Sequence, residues 1–356
     1  MNSARTWGGT EKWTHMAAES LASEHKVGLV YRKSVVGKRF TIPTFRLPCL
    51  SHIDLYTLYQ LTHIIRQEKI EVIISTKRKD YLLAGIASRI CGISNILRLG
   101  IVRPLKLPLI HKWMYHSLVD AVIVNAEQIK TTLLQSPFMV AEKIHVIHNG
   151  LDTTLLDQKS QPVAPKRFCF QISTVGILTK RKGHDFLLRG FARFLAQHPN
   201  AETGIIIMGD GPLKKELQEL AITLNLTEHV HFAGFVENPY SLIAASDVIA
   251  MLSTNEGISN ALLEGMYLKN VPLSTFAGGA TELINEGTNG FLIDYGNEQQ
   301  LATTLQQLYT NSKLRTTLSV AAKATILAQF SLPRMTQAVA KLCKKTIAHK
   351  TATCHA

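Results

Sequence analysis

The residues best placed to do chemistry are two glutamates eight positions apart, Glu256 and Glu264. They lie in segment 253–266, which follows a predicted strand and enters a predicted helix beginning at Ser259 or Asn260, residue types that cap helices. Amides of a first helical turn bind phosphate, and open α/β sheets bind ligands at the carboxyl ends of their strands. A carboxylate on the helix can accept hydrogen bonds from ribose hydroxyls. A charged loop followed by a solvated helix glutamate remains the alternative.

A second candidate is a run of three cations, Lys180-Arg181-Lys182, between two glycines. A predicted strand ends at Gly176, and a predicted helix starts at Gly183. Cations beside a helix N-terminus form a strong clamp for pyrophosphate. The alternative is an ordinary solvated basic loop.

Three glycine-containing segments are weaker signals. Segment 208–212 lacks the third glycine and the downstream acid of a dinucleotide loop and is interpreted as a structural turn. Segment 277–282 is as compatible with an ordinary turn as with a ligand loop, and segment 7–12, in which Gly8 and Gly9 open a helix, is weak on its own. The sequence has no Gly-x-x-x-x-Gly-Lys-Ser/Thr loop and no Gly-x-Ser-x-Gly elbow, which excludes a P-loop and disfavours an α/β-hydrolase. It also has no Asp-x-Asp pair, and its histidines are dispersed. We therefore expect no metal site and no cofactor beyond a co-substrate.

The elements that must position these segments alternate along all 356 residues, since short β-branched runs are followed by amphipathic stretches. This alternation is typical of parallel sheets. Predicted strands are 27–31, 71–75, 96–99, 120–124, 144–147, 168–175, 204–208, 230–233, 247–252 and 271–274. Predicted helices are 10–24, 54–68, 80–91, 108–117, 127–135, 183–197, 213–224, 239–245, 260–268, 280–285, 298–309, 312–328 and 332–347.

The segment 151–166 has little pattern and two prolines, which indicates a linker between domains. We predict a first domain over 1–158 and a second domain over 159–330; the family resemblance described below implies that the first binds an acceptor and the second a nucleotide sugar. We expect the last helix, 331–356, to pack back on the first domain.

Charge and composition narrow the class of protein. The net charge is +13, and residues 26–112 alone hold 16 basic and 4 acidic residues. Such an excess attracts nucleotides, phosphorylated sugars, nucleic acid or an acidic membrane surface. Hydrophobic residues make up 46% and charged residues 18%, which excludes disorder.

The sequence also argues against membrane-spanning or secretory segments and against structural roles for its cysteines. No apolar run approaches the roughly 18 residues of a transmembrane helix, and the start lacks the apolar stretch of a secretory signal. Scattered cysteines without a Cys-x-x-Cys pair argue against a zinc site or disulfide framework. We expect a cytoplasmic protein with reduced cysteines at 49, 91, 169, 343 and 354.

Taken together and in order, these segments resemble the retaining GT-B glycosyltransferases called glycosyl transferases group 1. The resemblance rests on the Glu-x7-Glu element with its flanks over 230–293, and on GILTKRKGHDFLL, IIIMGDGPLKKELQELA, VIHNGLD and WGGTEK. It covers nearly the whole chain, strongly over 170–310 and weakly over 30–120. It implies an α/β fold of two Rossmann-like, doubly wound domains facing a cleft. It also implies transfer of a sugar from a nucleoside-diphosphate sugar to an acceptor hydroxyl, with retention of anomeric configuration and without metal.

The resemblance also implies roles for individual residues. Lys182 would hold the diphosphate, Glu264 the ribose, and Glu256 the hydroxyls of the donor sugar, as the catalytic carboxylate. The remaining donor-binding positions are the backbone amides at Ser259, Asn260, Ala261 and Leu262, the base-flanking Gly234, Phe235 and Val236, and the phosphate-approaching Gly8 and Gly9. No catalytic base is assigned, because the leaving phosphate oxygen of such enzymes can take the acceptor proton.

The chain departs from the family pattern at three places. Only six residues precede Trp7, so the first strand of the first domain is expected to be missing, through a later start or a truncation that impairs activity. Ile177 stands where a phosphate-binding Arg is usual, and Lys180 or Arg181 is the candidate substitute. No His lies near 97–104, where Arg98 and Arg103 instead are candidates to meet an anionic acceptor.

The basic first domain is the predicted acceptor side. Its cations cluster at 38–39, 77–79 and 98–112, the last interleaved with apolar residues, a mixture that suits an anionic lipid-linked acceptor or membrane surface. We expect a transferase of lipopolysaccharide core or another envelope glycan, peripheral on the inner face of a bacterial membrane. No nucleic-acid motif is present. A sugar phosphorylase, a nucleotide-sugar epimerase and a non-catalytic sugar-nucleotide-binding protein remain the alternatives.

Overall fold

The structure is a computed structural model that describes residues 1–52, 54–101 and 111–354. The chain divides into two compact units. The first unit comprises Met1–Gly150 and the helix that begins at Leu332, and the second comprises Leu151–Ser331. This division lies eight residues before the sequence-predicted end of the first domain.

The first unit is built on parallel strands. A four-stranded sheet has the order β3-β4-β5-β6, and β1 pairs with β2. The central strands β4 and β5 are buried along their whole length, which is typical of a sheet covered on both faces. The strands are β1 Leu29–Tyr31, β2 Thr44–Arg46, β3 Val72–Ser75, β4 Ser94–Leu99, β5 Ala121–Val124 and β6 Ile144–Val146.

The first residues of the chain lie between β1 and β3. The Met1 ammonium donates to the Ile74 carbonyl at 2.7 Å, and the Thr76 N–H donates to the Met1 carbonyl at 3.2 Å. On the other side Asn2 forms an isolated parallel bridge with Tyr31. Among the described residues no full strand precedes the first helix. The bridge at Asn2 lies where the expected first strand would be, between β1 and β3.

Helices cover the sheets of the first unit. They are α1 Gly9–Leu21, α2 Ser34–Gly37, α3 Leu55–Gln67, α4 Arg78–Cys91 and α5 Glu127–Leu134, with a π-helical turn at Trp113–Ser117. The last helix of the chain, α14 (Leu332–Cys354), packs on α1 and β4. It does so because Met335, Val339 and Leu342 recur on one face and enter the cluster around Trp13 and Ile96. Along the described helices, none combines the length and apolar character needed to span a bilayer.

The second unit is a single six-stranded parallel sheet with the order β12-β11-β10-β7-β8-β9. The strands are β7 Phe170–Val175, β8 Thr203–Met208, β9 Val230–Gly234, β10 Val248–Met251, β11 Val271–Thr275 and β12 Phe291–Ile293. The helices are α6 Thr153–Lys159, α7 His184–Gln197, α8 Lys214–Thr223, α9 Tyr240–Ala244, α10 Asn260–Tyr267, α11 Ala280–Leu283, α12 Glu298–Thr310 and α13 Ser312–Gln329.

The strand order of the second unit fixes where a ligand would bind. The chain runs outward from β7 through β8 to β9, then returns to the other side of β7 as β10 and continues outward. The order therefore reverses between β7 and β10, which pair directly. In doubly wound sheets the loops that leave two such strands diverge and form a ligand crevice at their carboxyl ends.

All ten strands predicted from the sequence are present, and the elements that escaped prediction are short. β2 and β12 have three residues each, and α2 has four, too few for a periodic pattern. The predicted helix 108–117 appears as helical structure from 111 onward, and its first residues lie outside the described ones.

The predicted linker 151–166 needs a correction, because part of it is α6 of the second unit. The Asp152 carboxylate caps this helix by accepting from the Leu155 N–H at 2.9 Å. The Tyr267 hydroxyl donates to Asp157 at 2.9 Å and ties the helix to α10. These contacts place residues 151–158 with the second unit rather than the first.

Candidate functional site

The loops leaving β7 and β10 converge on one carboxylate. Arg181 donates from Nη1 to Glu256 and, at 2.6 Å, to the Asn255 carbonyl. Lys182 donates from Nζ to Oε1 of Glu256 at 2.7 Å. The Thr254 N–H returns a backbone hydrogen bond to the Arg181 carbonyl at 2.8 Å. The two sequence segments singled out for phosphate and sugar chemistry are thus joined at the reversal point of the sheet.

Two glycines allow the backbone to approach this closely. Gly183 and Gly278 both adopt left-handed φ angles, +64° in each case, which only glycine takes without strain. A Cβ on Gly183 would collide with the Leu252 carbonyl, and one on Gly278 with the Glu256 carbonyl. The glycine pair at 278–279 therefore packs directly against the backbone of the Glu256 loop.

Helix α10 begins where the sequence predicts. Asn260 is its first residue and Ser259 its N-cap, although the Ser259 side chain makes no capping hydrogen bond. The first N–H groups of a helix have no partner within it, so the amides near Ala261 and Leu262 carry the positive end of the helix dipole. This end directly follows the Glu256 loop in the chain.

The burial of these charged residues argues against the two alternatives given above, a solvated helix glutamate and an ordinary solvated basic loop. Glu264 is 4% exposed, so it is not a solvated helix glutamate. The Lys182 side chain is 10% exposed and that of Arg181 33%, so these two are not the solvated residues of an ordinary basic loop. Lys180 is exposed on the same turn and fits that description.

A buried histidine follows the cations in the chain. His184 opens α7, and burial, with the nearby Lys182 as a smaller cause, lowers its pKa to about 4. The imidazole is therefore neutral at pH 7 and adds no charge to the cluster. Sequence reasoning did not assign it, since one His within a basic run carries no distinguishing signal.

The predicted base-flanking segment lies at the carboxyl end of β9, on the same edge of the sheet. Gly234 ends the strand with φ +69° and accepts a hydrogen bond from the Gly209 N–H at 2.7 Å. Phe235 follows with 69% of its surface exposed, and Val236 is half-buried. An exposed ring beside a glycine turn is suited to stacking on a planar ligand.

The remaining predicted residues belong to the first unit. Gly8 is the extended N-cap of α1, and Gly9 is its first residue. The structure adds an ion pair that prediction missed, in which Lys77 Nζ contacts Oε1 of the buried Glu11 at 2.6 Å. The signal was present, because Glu11 belongs to the quoted Trp-Gly-Gly-Thr-Glu-Lys segment and Lys77 opens a basic cluster.

Arg98 is a buried residue of β4 rather than a surface cation. It is 3% exposed, lies over the Trp13 ring at 4.7 Å, and donates to Asn149 Oδ1 at 3.1 Å. Burial lowers its pKa to about 10. Its Nε has no hydrogen-bond partner among the described residues. Arg103, its predicted companion toward an acceptor, lies outside the described residues.

Two family models match the chain in succession. Residues 7–155 match Glycosyltransferase Family 4, and residues 158–325 match Glycosyl transferases group 1. The two matches meet close to the division between the structural units.

Among curated relatives, the chain is similar to the N-acetylgalactosamine-N,N'-diacetylbacillosaminyl-diphospho-undecaprenol 4-alpha-N-acetylgalactosaminyltransferase of Campylobacter jejuni. The identity is 31% over 197 residues, which cover 55% of this chain and 52% of that protein. It is also 29% identical over 171 residues to the lipopolysaccharide core biosynthesis glycosyltransferase LpsE of Rhizobium meliloti, covering 48% of each. The chain thus spans about half the length of these relatives.

Solved structures share the fold over almost the whole chain. A glycosyltransferase from Rickettsia africae has a TM-score of 0.83 at 19% identity, covering 98% of this chain and 97% of that one. Anabaena Alr3699/HepE, crystallised with UDP, has a TM-score of 0.81 at 21% identity, covering 97% and 98%. The predicted GT-B architecture of two α/β units with parallel sheets is confirmed.

Proposed function

We propose that this chain of GT-B fold, whose residues 158–325 match the model of Glycosyl transferases group 1, is a retaining glycosyltransferase. It moves a sugar from a nucleoside-diphosphate sugar to a hydroxyl of a glycan or lipid-linked acceptor. The observation that carries the proposal is the convergence of Arg181 and Lys182 on Glu256 beside the start of α10.

The cations and the helix start supply what a departing diphosphate requires. The two side chains bring two positive charges to one point, and charge-assisted hydrogen bonds to phosphate are about twice as strong as neutral ones. Amides at Ser259–Leu262 add the dipole end of α10. Preorganised groups of this kind stabilise the charge that develops on the leaving group, so the proposed transfer uses no metal.

The same edge of the sheet provides contacts for the rest of the donor. Glu264, buried on the second turn of α10, is the proposed partner of the ribose hydroxyls. The segment Gly234–Val236, with its exposed Phe235 ring, is the proposed flank of the base. Lys180, exposed on the rim, is a secondary phosphate contact.

Glu256 has two functions in this proposal. Without a ligand its carboxylate pairs with both Arg181 and Lys182 and offsets one of their two positive charges. A diphosphate competes for both cations and frees the carboxylate to accept hydrogen bonds from hydroxyls of the donor sugar. The pairing therefore keeps the two cations ordered before the substrate binds, at the cost of weaker binding of the bare diphosphate.

The proposed reaction breaks the bond between the anomeric carbon and the diphosphate oxygen and forms a bond to the acceptor oxygen on the same face of the sugar. The acceptor proton passes to the departing phosphate oxygen, so no separate base is needed. Exclusion of water protects the oxocarbenium-like centre from hydrolysis.

The setting we propose is the synthesis of bacterial envelope polysaccharide or lipopolysaccharide, with the protein peripheral on the inner face of the membrane. Its support is the activity named for two relatives, one with a diphospho-undecaprenol acceptor and one in lipopolysaccharide core biosynthesis. The basic charge of residues 26–112 assigns the acceptor side to the first unit. The roles of Gly8 and Gly9 beside the donor phosphate, and of Arg98 and Arg103 toward an anionic acceptor, stay predictions.

The test is a thermal-shift screen of the full chain against UDP-, GDP- and ADP-sugars, because a ligand that binds the native state raises Tm. The reaction with the best ligand as donor is then monitored by NMR, which gives the anomeric configuration of the transferred sugar in the product. A shift by one nucleotide family and a product that keeps the donor configuration are expected. Phosphate-dependent cleavage would indicate a phosphorylase, an interconverted sugar an epimerase, and binding without turnover a non-catalytic protein.

A further inference from the structure

We propose that the protein docks on anionic lipid bilayers through the start of helix α3. The docking surface is an apolar edge patch, defined here as Leu50, Leu55, Tyr56 and Tyr59, together with the cations beside it. The inference rests on the proposed function for its setting, a membrane that carries the acceptor, and not on the transfer chemistry.

The patch is exposed to an unusual degree for large apolar side chains. The exposed fractions are 63% for Leu50, 74% for Leu55, 60% for Tyr56 and 68% for Tyr59. Single exposed apolar residues need no explanation, but a contiguous group of them indicates an interaction site.

Helix geometry places the patch on one side of α3. Leu55, Tyr56 and Tyr59 fall within about 100° of one another at 3.6 residues per turn. The opposite side carries Leu61 and Ile65, both buried in the core of the first unit. The helix is therefore apolar on both faces at its start, and packing within the unit uses only one of them.

Hydrogen bonds join Cys49 and Leu50 to the start of the helix. The Asp54 carboxylate accepts from the Thr57 N–H at 3.0 Å as the helix cap and from the Leu50 N–H at 2.9 Å. The Thr57 hydroxyl also accepts from the Cys49 N–H at 3.1 Å. Leu50 is thus held beside the first turn, and little conformational entropy is lost when the patch enters a lipid surface.

Cations flank the patch on the neighbouring elements. Lys79, on the first turn of α4, donates from Nζ to the Leu50 carbonyl at 3.2 Å. Arg78 precedes it and is exposed, as is Arg46 at the end of β2. The Asp54 carboxylate is half-buried and engaged as a cap, and Asp80 is fully buried, so the cations outnumber the one partly exposed carboxylate beside the patch.

This combination fits a lipid surface better than the other occupants. Leucines enter the boundary between headgroups and acyl chains, tyrosines prefer that boundary, and cations bind anionic headgroups. A second copy of the chain is disfavoured, because a two-fold contact would bring the same cations against each other. A protein partner would have to be acidic and apolar at once.

The test is flotation of the full chain with phosphatidylcholine vesicles, with and without phosphatidylglycerol. We expect binding to the anionic vesicles that weakens strongly at about 1 M salt, where the Debye length is about 3 Å. The variant Leu55→Ser/Tyr59→Ser should bind at least tenfold more weakly, given the roughly 25 cal/mol per Å² lost with apolar burial. Arg78→Gln/Lys79→Gln should lose about fivefold for each cation.

The matched control is Val320→Ser/Leu327→Ser on α13 of the second unit, where both side chains are 54% exposed. This control should bind vesicles like the parent, and all variants should keep the parent's Tm shift with nucleoside diphosphate. That shift reports the proposed donor site independently, so failure of one proposal leaves the other measurable.

Three results would overturn the inference. They are an absence of parent binding to anionic vesicles, equal binding by parent and Leu55→Ser/Tyr59→Ser, and equal losses in that variant and the α13 control. A parent dimer that dissociates in the patch variant while vesicle binding is unchanged would assign the patch to a second copy instead.

Discussion

The two units carry cations in contrasting arrangements. In the second unit Arg181 and Lys182 share one carboxylate and are partly buried. In the first unit Arg46 and Arg78 are exposed around an apolar patch. Paired, ordered cations suit a compact anion bound in one geometry, whereas exposed cations beside apolar side chains suit an extended anionic surface.

The contrast changes the meaning of the net charge of +13. The total charge indicates only that the partner is anionic. The burial and pairing of each cation indicate whether that partner is a compact anion or an extended surface. The same excess is divided between a diphosphate proposed for the second unit and a membrane or acceptor proposed for the first. The following predictions test that division, from the largest expected effect to the smallest.

The largest effect is expected from Glu256→Gln. Transfer should slow by roughly two to three orders of magnitude, as when a preorganised polar contact to a transition state is removed. Affinity for bare nucleoside diphosphate should rise, because Arg181 and Lys182 lose the anion that competes for them. Calorimetric titration and initial rates measure the two quantities.

The control for that experiment is Glu219→Gln on the exposed face of α8, which should change neither quantity. A Glu256→Gln variant that loses diphosphate affinity along with activity would contradict the competition between carboxylate and diphosphate.

The second effect is expected from Lys182→Ala, which should weaken binding of nucleoside diphosphate by about tenfold to a hundredfold, the value of a hydrogen bond to a charged group. Lys182→Met keeps most of the apolar stem and should lose nearly as much. If Lys182→Met binds like the parent, the side chain contributes packing rather than charge, and the clamp is misassigned.

A smaller effect is expected from Lys180→Ala on the same turn, less than about fivefold on affinity, because exposed ion pairs contribute up to about 1 kcal/mol. The loss should disappear at high salt, whereas the Lys182 effect should persist because that side chain is mostly buried. Titrations of both variants at two salt concentrations measure the difference. If the losses of affinity in the Lys180 and Lys182 variants depended equally on salt, the proposed difference between an exposed secondary contact and a buried phosphate ligand would be wrong.

The smallest effect on donor binding is expected from Arg78→Gln/Lys79→Gln in the first unit. Neither Arg78 nor Lys79 is among the contacts proposed for the diphosphate, which apart from Gly8 and Gly9 come from the second unit. Kd for nucleoside diphosphate should therefore change less than about twofold, within the range of exposed charges. Titration beside the vesicle assay tests this directly. A large loss of diphosphate affinity would show that the two cation clusters act on one ligand.

Local sequence predicted most of the fold, because β-branched runs and apolar periodicity mark buried strands and helix faces. It failed where an element is too short for a period, as in β2 with three residues, or where capping decides, as in α6 behind Asp152. The order of strands in each sheet is set by long-range pairing and had no local signal.

The site was predicted in its parts but not in its contacts. The Glu256–Glu264 spacing, the cationic turn and the start of α10 all follow from residue types in order. That Arg181 pairs with Glu256, 75 residues away, is visible only once β7 and β10 lie side by side. Burial likewise separates Lys182 from Lys180, which are identical in type and two positions apart.

By itself the sequence determined the alternation of strands and helices, the resemblance to a glycosyltransferase family and the location of the positive charge. Tertiary structure decided which charges are paired, that Arg98 is buried over Trp13, and that Leu55 and Tyr59 face outward. The physical reason is that composition and periodicity report what a side chain is, whereas exposure and pairing depend on neighbours brought from distant parts of the chain. A helix apolar on both faces does not reveal in its sequence which face the core will cover.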